Sequence, residues 1–267
     1  MPQHARMTPD GLARVRSRFA IPAPGLRKVV SLRPAADLHC ETCGVRGLCI
    51  PTGLGEEALH ALAHAVGNPV RVARREVLYR AGQASAALYA VHLGSFKSVV
   101  FAENGREQMT DYHMVGSMLG LDGLGQALHS CDMIALEDSE VCALSHATLD
   151  DLTVRLPLLH RSLLRLLSRD LRRAKDLILL LGQLSAEERL ASFLLDLAEH
   201  HRERGYSQSE FVLRMTREEI ASYLGLQLET VSRVFSRLHG EGLIQVQGRA
   251  IKVLDAAGLR HLKGDLR

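Results

Sequence analysis

Tryptophan is absent from this sequence, and aromatic residues occupy only 4% of its 267 positions. Proteins that bind single-stranded nucleic acid without sequence preference stack the bases on aromatic side chains, so this composition does not favour that class. No segment provides the run of about 18 apolar residues that a membrane-spanning helix needs. Nor does any apolar segment near the first residues match a secretory signal. We therefore expect a cytoplasmic protein.

Cysteine is scarce too, but its distribution is uneven. Three of the five cysteines, Cys40, Cys43 and Cys49, follow a C-x2-C-x5-C pattern. A disulfide, a metal or cluster site, and a redox thiol are the possible explanations. Thiols stay reduced in the cytoplasm, so the grouping favours a metal over a disulfide. An enzyme with Cys40 or Cys43 as nucleophile would need a histidine base, and no Cys/His signature indicates one.

Positive charge is concentrated at the start of the chain, although the net charge is only +3. Residues 1–38 hold seven Arg or Lys against two Asp, and prolines interrupt any helix there. Such a composition predicts a flexible basic arm, here over residues 1–37. A cysteine loop over residues 38–53 follows it.

Glycines recur at regular intervals in the next region. Segments rich in strand-forming residues end at Gly82, Gly94, Gly105 and Gly116, eleven or twelve residues apart. This spacing is typical of an all-β sandwich or barrel. The sequence AENG, which ends at Gly105, is a hairpin-turn signal. We predict an antiparallel β-domain over residues 54–150.

A Leu- and Arg-rich helix follows, and we predict a dimerisation helix over residues 151–184. Its heptad spacing is typical of a coiled coil, whereas the alternative is a helix buried within its own chain. Asp170 either faces its symmetry mate, which would weaken a dimer, or pairs with a nearby base such as Arg173. The predicted dimer seam consists of Leu163, Leu167, Asp170, Ala174, Leu177 and Leu181.

The segment MTREEIASYLGLQLETVSRVFSRLHGEGLI carries the signals of two short helices. Thr216 and Glu219 form a capping box that opens the first helix, and LGL supplies a glycine turn. The second helix has an apolar face made by Val231, Val234, Phe235 and Leu238. Two such helices form a helix-turn-helix. The alternating residues around Gly248 then predict a wing, so residues 185–267 are predicted to be a winged helix-turn-helix domain.

With that apolar face turned inward, Glu229, Ser232 and Arg233 point outward near the start of the second helix. A recognition helix meets base edges there, and these side chains have the chemistry to bind cytosine and guanine. The alternative is a salt bridge between Glu229 and Arg233 on a solvated helix face. Because these side chains lie in a capped helix-turn-helix, we favour the interpretation that they read double-stranded DNA.

These motifs together resemble the Crp-Fnr family of bacterial transcription regulators, and most closely its FNR branch. LETVSR carries the Glu-x-x-Ser-Arg pattern of that branch, and LLGQLSAEERLASFLLDLA resembles the link from dimer helix to DNA domain. The resemblance implies an α+β fold and no enzyme activity. Its parts are an N-terminal antiparallel β-roll (jelly-roll-like) sensor domain, a long dimerisation helix and a C-terminal winged helix-turn-helix.

The resemblance also implies that a fourth cysteine helps to hold a [4Fe–4S] cluster. In ALEDSEVCALSHATLDDL, Cys142 occupies the position of the family's fourth ligand, so the predicted ligands are Cys40, Cys43, Cys49 and Cys142. Cys131 is then a spare, buried thiol. Spacing alone does not distinguish a cluster from zinc. His39 is a less favoured replacement for a thiolate.

The function that the resemblance implies is oxygen-responsive transcription regulation. A homodimer would bind a palindrome of the TTGAT…ATCAA kind and contact RNA polymerase. The alternative is a zinc- or thiol-based redox regulator of the same fold. Cyclic AMP is not expected, because residues 115–137 lack the Gly-Glu and Arg-Ser or Arg-Thr pairs of its binders. Ala174 stands where FNR regulators often carry an acid, so we expect a tighter cluster-free dimer and a shallower oxygen response than in relatives.

Overall fold

A computed structural model describes residues 33–34, 40, 43–49, 55–67 and 69–263 of the chain. His39 and the predicted basic arm, apart from residues 33–34, lie outside the described residues. Arg33–Pro34 (β1) form a short strand, antiparallel to the strand that contains Arg71. The prediction of a flexible arm is therefore wrong for this pair. The edge strand of a sheet has unpaired main-chain groups that can bind another segment, and amino-acid composition does not reveal such pairing.

Two antiparallel sheets form the β-domain, as predicted. One has the order β1-β2-β9-β4-β7 and the other the order β3-β8-β5-β6. The strands are β2 (Val70–Val72), β3 (Val77–Tyr79), β4 (Ala87–Leu93), β5 (Ser95–Phe101), β6 (Glu107–Met114), β7 (Met118–Leu119), β8 (Asp132–Ala135) and β9 (Ser139–Ser145). A 3-10 turn, Leu121–Gly123, follows β7.

The glycines that punctuate this region act as the sequence predicts. Gly82, Gly94, Gly105 and Gly116 all have φ between 77° and 84°. Residues with a Cβ rarely adopt this left-handed conformation, so glycine fixes where each strand turns. The predicted AENG turn connects β5 to β6, where the amide of Gly105 donates to the carbonyl of Ala102.

Four helices accompany the β-domain: α1 (Arg46–Cys49), α2 (Glu56–Ala65), α3 (His146–Arg155) and α4 (Pro157–Gln183). The long helix begins at Pro157 rather than at residue 151. Proline fits the first helical position and disfavours helical backbone in the residue before it. Leu156 accordingly has φ −120° and ψ 86°, which separates α3 from α4. No helix in the described part of the chain is long and apolar enough to cross a bilayer.

The C-terminal region is the predicted winged helix-turn-helix. It comprises α5 (Ala186–Glu203), β10 (Glu210–Val212), α6 (Arg217–Leu224), α7 (Leu228–Gly240), β11 (Ile244–Gln247), β12 (Ala250–Val253) and α8 (Ala256–Lys263). The capping box of Thr216 and Glu219 is present, and Gly225 turns the chain at φ 61°. The wing turns at Gly248, also at φ 61°. These predictions are confirmed.

One apolar core spans the DNA-binding region and part of the β-domain. Met109, Tyr112 and Met114 on β6 pack with residues of the C-terminal domain. Ser222 of α6 also accepts a 2.9 Å hydrogen bond from the amide of Met109. The helix-turn-helix is therefore docked against the sheet rather than joined to it only by α4.

Candidate cysteine centre and nucleic-acid interface

Four cysteines line a single cavity of about 90 Å³: Cys40, Cys43, Cys49 and Cys142. Cys49 ends α1, and Cys142 lies in β9, where it pairs with Ala90 of β4. The fold thus brings the thiols of the cysteine loop to a residue 93 positions after Cys49. The four residues predicted as ligands share one site.

The remaining walls of this cavity are mostly apolar. They are formed by Val45, Leu62, Val66, Ala90, Met118, Leu144, Leu149, Leu159, Leu163 and Leu166, together with His92 and Ser162. Burial, with the neighbouring cysteines, raises the pKa of Cys49 to about 12 and that of Cys142 to about 12. These thiols are therefore protonated at neutral pH until a cation displaces their protons.

The donors around the cavity have a specific chemistry. Thiolates are the usual ligands of zinc and of iron–sulfur clusters. His92 places its Nδ1 3.6 Å from the Sγ of Cys43, and Cys49 donates to the carbonyl of Val45 at 3.3 Å. In the described ranges, no set of three or more His, Cys, Asp or Glu side chains lies close enough to hold a metal ion. The thiols therefore surround a space without meeting at one point.

Cys131 lies apart from the other cysteines, in the wall of a second cavity of about 560 Å³ between the β-domain and α4. It is buried, as predicted, and its Sγ donates to Asp122 at 3.7 Å. Asp111, Asp122 and Asp170 line this cavity beside Arg173. The carboxylates make it acidic, and the absence of a cyclic nucleotide stays a prediction.

The inward face of α4 closes both cavities. Leu159, Leu163 and Leu166 line the cysteine cavity, whereas Asp170 and Leu177 line the acidic one. Partial burial and the Asp111 carboxylate raise the pKa of Asp170, while His113 and Arg173 lower it. Four of the predicted seam residues, at 163, 170, 174 and 177, therefore line the cavities on the side of the chain's own β-domain.

The exposed apolar stripe of α4 is offset by one residue from the series at 163, 170 and 177. Leu164, Leu171 and Ile178 are 51%, 59% and 71% exposed. Ala174 of the predicted seam is exposed as well, while Leu167 and Leu181 are half-buried. Apolar residues stand at both 163 and 164 and at both 177 and 178, so a heptad repeat fits either register. Only packing against the β-domain distinguishes them.

The second helix of the helix-turn-helix has the two faces that the sequence predicts. Val231, Val234, Phe235 and Leu238 are buried. Glu229, Ser232 and Arg233 are all exposed on the opposite face. Arg233 donates to Thr230 Oγ1 at 3.3 Å, and a Glu229–Arg233 salt bridge is not among the ion pairs of the described residues. Its guanidinium thus stays at the surface.

Two residues that hold the DNA-binding unit in place escaped the sequence analysis. Arg189 donates to the carbonyls of Leu181 (2.8 Å), Leu184 (2.9 Å) and Leu224 (2.9 Å), so one guanidinium joins α4 to α6. Lys97, buried in β5, pairs with Glu107 at 2.8 Å and with Glu219 at 3.2 Å. The motif SAEERLASF contains Arg189, but nothing in the sequence indicates its partners.

Comparison with known proteins extends these observations. Residues 188–262 match the Crp-like helix-turn-helix domain, and residues 69–155 match the cyclic nucleotide-binding domain. The transcriptional regulatory protein btr of Bordetella pertussis is 40% identical over 239 residues, which cover 90% of this chain and 98% of btr. The chain belongs to the Crp-Fnr family. The fumarate and nitrate reduction regulatory protein of Escherichia coli is 38% identical, with 86% and 92% covered, and places the chain in the FNR type.

Solved structures of the Crp-Fnr family agree with this fold. FixK2 from Bradyrhizobium japonicum superposes with a TM-score of 0.70 at 29% identity, covering 76% of this chain and 99% of that one. Crp-Fnr proteins are DNA-binding transcription regulators that commonly act as dimers, and they are not enzymes. The chain is therefore a DNA-binding transcription regulator.

Proposed function

We propose that this regulator responds to oxygen through a [4Fe–4S] cluster held by Cys40, Cys43, Cys49 and Cys142. The observation that carries the proposal is the convergence of these four thiols on one apolar cavity, away from the acidic cavity that contains Cys131. When bound, the cluster would supply an oxygen-labile group whose loss is the signal. The cysteine residues would hold it, and the apolar walls would limit the access of water.

The FNR type of the chain favours a cluster over zinc. Four thiols suit either group: a tetrahedral zinc site draws four sulfur atoms to about 2.3 Å from one centre, whereas a [4Fe–4S] cluster binds its thiolates at separate iron atoms. An absorption spectrum distinguishes the two, because zinc gives no colour.

The position of α4 connects the cysteine cavity to dimerisation. Leu159, Leu163 and Leu166 form part of the cavity wall, and Leu164 lies on the opposite, exposed face of the same helix. A change in the packing of the cysteine loop therefore changes the contacts of the α4 turns that contain Leu159, Leu163 and Leu166. We propose that the exposed stripe of α4 is the dimer interface, because it would bury its apolar side chains against a second copy.

In that dimer, the two copies of α7 would read the two halves of a palindrome. Recognition helices of dimeric helix-turn-helix proteins enter the major groove about one helical turn apart, with the residues near their N-termini at the bases. Glu229, Ser232 and Arg233 occupy those positions. The TTGAT…ATCAA palindrome and the contact to RNA polymerase stay predictions based on the family resemblance.

The deciding experiment is an absorption spectrum of protein purified without oxygen and then exposed to air. We expect a broad band near ~400 nm that bleaches as iron and sulfide are released. Cys142→Ser should abolish the band, whereas the matched variant Cys131→Ser should retain it. A colourless protein that binds zinc would contradict the cluster and support the alternative redox regulator.

The dimer interface has a separate test. Ile178→Asp places a charge in the centre of the exposed stripe, so sedimentation should show a monomer where the unaltered protein is a dimer. Arg169→Asp, also exposed on α4 but on a face away from the stripe, should leave the dimer intact. If both variants dimerise equally, the stripe is not the interface. Sedimentation of cluster-free protein also tests the Ala174 hypothesis, which a clean monomer at micromolar concentration would reject.

A further inference from the structure

The turn between β6 and β7 lies against the cysteine helix α1. A Cβ built on Gly116 would lie 2.3 Å from the Cβ of Leu48, so the helix rests directly on the backbone of the turn. Gly116 has φ 83°, a conformation that few other residues adopt. Leu48 precedes Cys49, and Met118, two residues after Gly116, lines the cysteine cavity. The turn is thus part of the support of the cysteine loop.

The same turn is held from the DNA-binding domain by Arg204, at the end of α5. Its Nε donates to the carbonyl of Val115 at 2.7 Å, and its Nη2 donates to Ser117 Oγ at 3.3 Å. Its Nη1 donates to the carbonyl of His200 at 2.9 Å. The side chain is only 8% exposed. A buried guanidinium needs these acceptors, so its hydrogen bonds fix the turn to α5.

The turn has little freedom to absorb a displacement. The amide of Gly116 donates to Val91 at 2.8 Å, and the amide of Val91 donates back to Ser117 at 2.9 Å. A third bond, 2.9 Å long, joins the amide of Ser117 to Met114. A movement of α1 on one side therefore reaches the guanidinium on the other.

From Arg204 the connection continues to the recognition helix. Leu190, Leu194 and Leu197 of α5 share one apolar core with Val231 and Phe235 of α7. Packed side chains of this kind transmit a shift, because the core contains few voids into which they can relax. A tilt of α5 therefore changes the position of α7.

We propose that Arg204 is a positioning residue that couples the cysteine loop to the DNA-binding domain within one subunit. This route runs through residues 115–117 and does not require the dimer interface. The role of the loop as the sensor rests on the proposed function. The contacts between loop, turn and α5 are independent of it.

A second attachment predicts how the domain responds when Arg204 is removed. At the other end of β6, Ser222 binds the amide of Met109, and Lys97 pairs with Glu219. With Arg204 removed, these contacts remain and act as a pivot. We therefore expect the domain to change its orientation on the sheet without detaching from it.

The first test measures alkylation rates of the individual cysteines by iodoacetamide in the full-length, cluster-free protein. Arg204→Met should increase the rates of Cys40, Cys43 and Cys49 by about 2- to 30-fold, as for coupling of 0.5–2 kcal/mol. Arg204→Lys, which keeps the charge and one donor group, should give a smaller increase. Cys131, in its separate cavity, is the internal reference and should not change.

The matched control is Arg202→Met. Arg202 lies on the same helix turn and is exposed, and its guanidinium donates to the carboxylate of Glu199 at 2.8 Å. Its loss should leave all five rates unchanged. Equal rates in the Arg204 and Arg202 variants would overturn the proposal.

The second test is a double-mutant cycle on DNA affinity. Leu48→Ala removes the Cγ and Cδ1 atoms that lie beside Gly116, and Arg204→Met removes the hydrogen bonds to Val115 and Ser117. If the turn couples them, the combined loss of affinity will differ from the product of the single losses by about 2- to 30-fold. The cycle of Leu48→Ala with Arg202→Met should be multiplicative. A multiplicative result in both cycles contradicts the coupling. If the unaltered protein holds no cluster, the proposed function fails, while the alkylation rates still decide this inference.

Discussion

The cysteine cavity and the DNA-reading helices are built on opposite principles. Each signal that forms the helix-turn-helix lies within about 30 consecutive residues, from the capping box at Thr216 to the turn after Gly240. The cysteine cavity instead takes its walls from α1, α2, β4, β7, β9, α3 and α4. One site is specified locally, and the other exists only when distant elements pack.

This difference affects how each site responds when the rest of the molecule changes. Capped helices with a shared apolar face keep Glu229, Ser232 and Arg233 in a fixed arrangement on α7, even when the whole domain changes its orientation on the sheet. The cavity depends on many contacts, including those of a four-residue helix, α1. A site assembled from such elements depends on how they pack, which fits the role that we propose for it.

The largest effect that we predict tests the local site. Arg233→Ala removes the guanidinium that can bind a guanine edge, so each half-site should lose about 1–3 kcal/mol of binding, and the two half-sites of the dimer about 2–6 kcal/mol together. Fluorescence anisotropy with a labelled palindrome measures the loss, and the preference for guanine should weaken with it. Arg260→Ala, an exposed residue on α8, is the control. An equal loss on all sequences would mean that Arg233 binds phosphate.

The next effect tests the long-range site. Leu159 is buried and lines the cysteine cavity, so Leu159→Ala should lower the free energy of unfolding by about 2–5 kcal/mol. The adjacent Leu158 is 43% exposed, and Leu158→Ala should change it by about 0.5 kcal/mol or less. Urea unfolding compares the two. Similar losses would show that the inward face of α4 does not support the cavity.

A smaller effect tests whether the DNA-binding unit responds independently. Thr216→Ala removes the side-chain cap of α6 and should cost about 0.5–2 kcal/mol. Hydrogen exchange should become faster in α6, while the alkylation rates of the cysteines stay unchanged. Thr216→Ser keeps the hydroxyl and should restore protection. Faster alkylation in the alanine variant would break the distinction between the two regions.

The smallest effect is a pH dependence at the contact between α4 and α5. His200 Nε2 accepts a 2.8 Å hydrogen bond from Arg173, and burial lowers the pKa of His200. Asp196 and Glu203 oppose the shift, whereas Arg173 and Arg204 add to it. The unfolded chain then binds more protons than the folded one below the ordinary pKa of 6.5, so stability rises with pH there.

This contribution is complete above pH 6.5 and is lost as the pH falls through the lowered pKa of folded His200. Burial lowers the pKa of His201 as well, so both histidines act in one direction. Urea unfolding between pH 5 and 7.5 should show the slope, and His200→Gln should reduce it. Glu219 does not interfere, because its pKa lies below the ordinary 4.5: the Thr216 main chain and Lys97 outweigh the effect of burial. An unchanged slope in His200→Gln would contradict the assignment.

Sequence patterns predicted most of the fold because its signals are short in range. The glycines at strand ends, the capping box and the apolar face of α7 each depend on residues within one or two turns of chain. The seam on α4 was placed one residue away from the exposed stripe, because leucines fill both registers. Arg189 and Lys97 were missed, since a lone basic residue does not reveal which carbonyls or carboxylates it will meet.

By itself, the sequence determined the two domains, the orientation of α7 and the exposure of Glu229, Ser232 and Arg233. These follow from periodicity and capping, which act along the chain. The family resemblance singled out Cys142, and the tertiary structure places it in one cavity with Cys40, Cys43 and Cys49. Only the tertiary structure decided that α4 exposes Leu164, Leu171 and Ile178 and that Arg204 binds the turn under the cysteine loop. Contacts of this kind form between residues far apart in the chain, and they become defined only when packing brings their surfaces together.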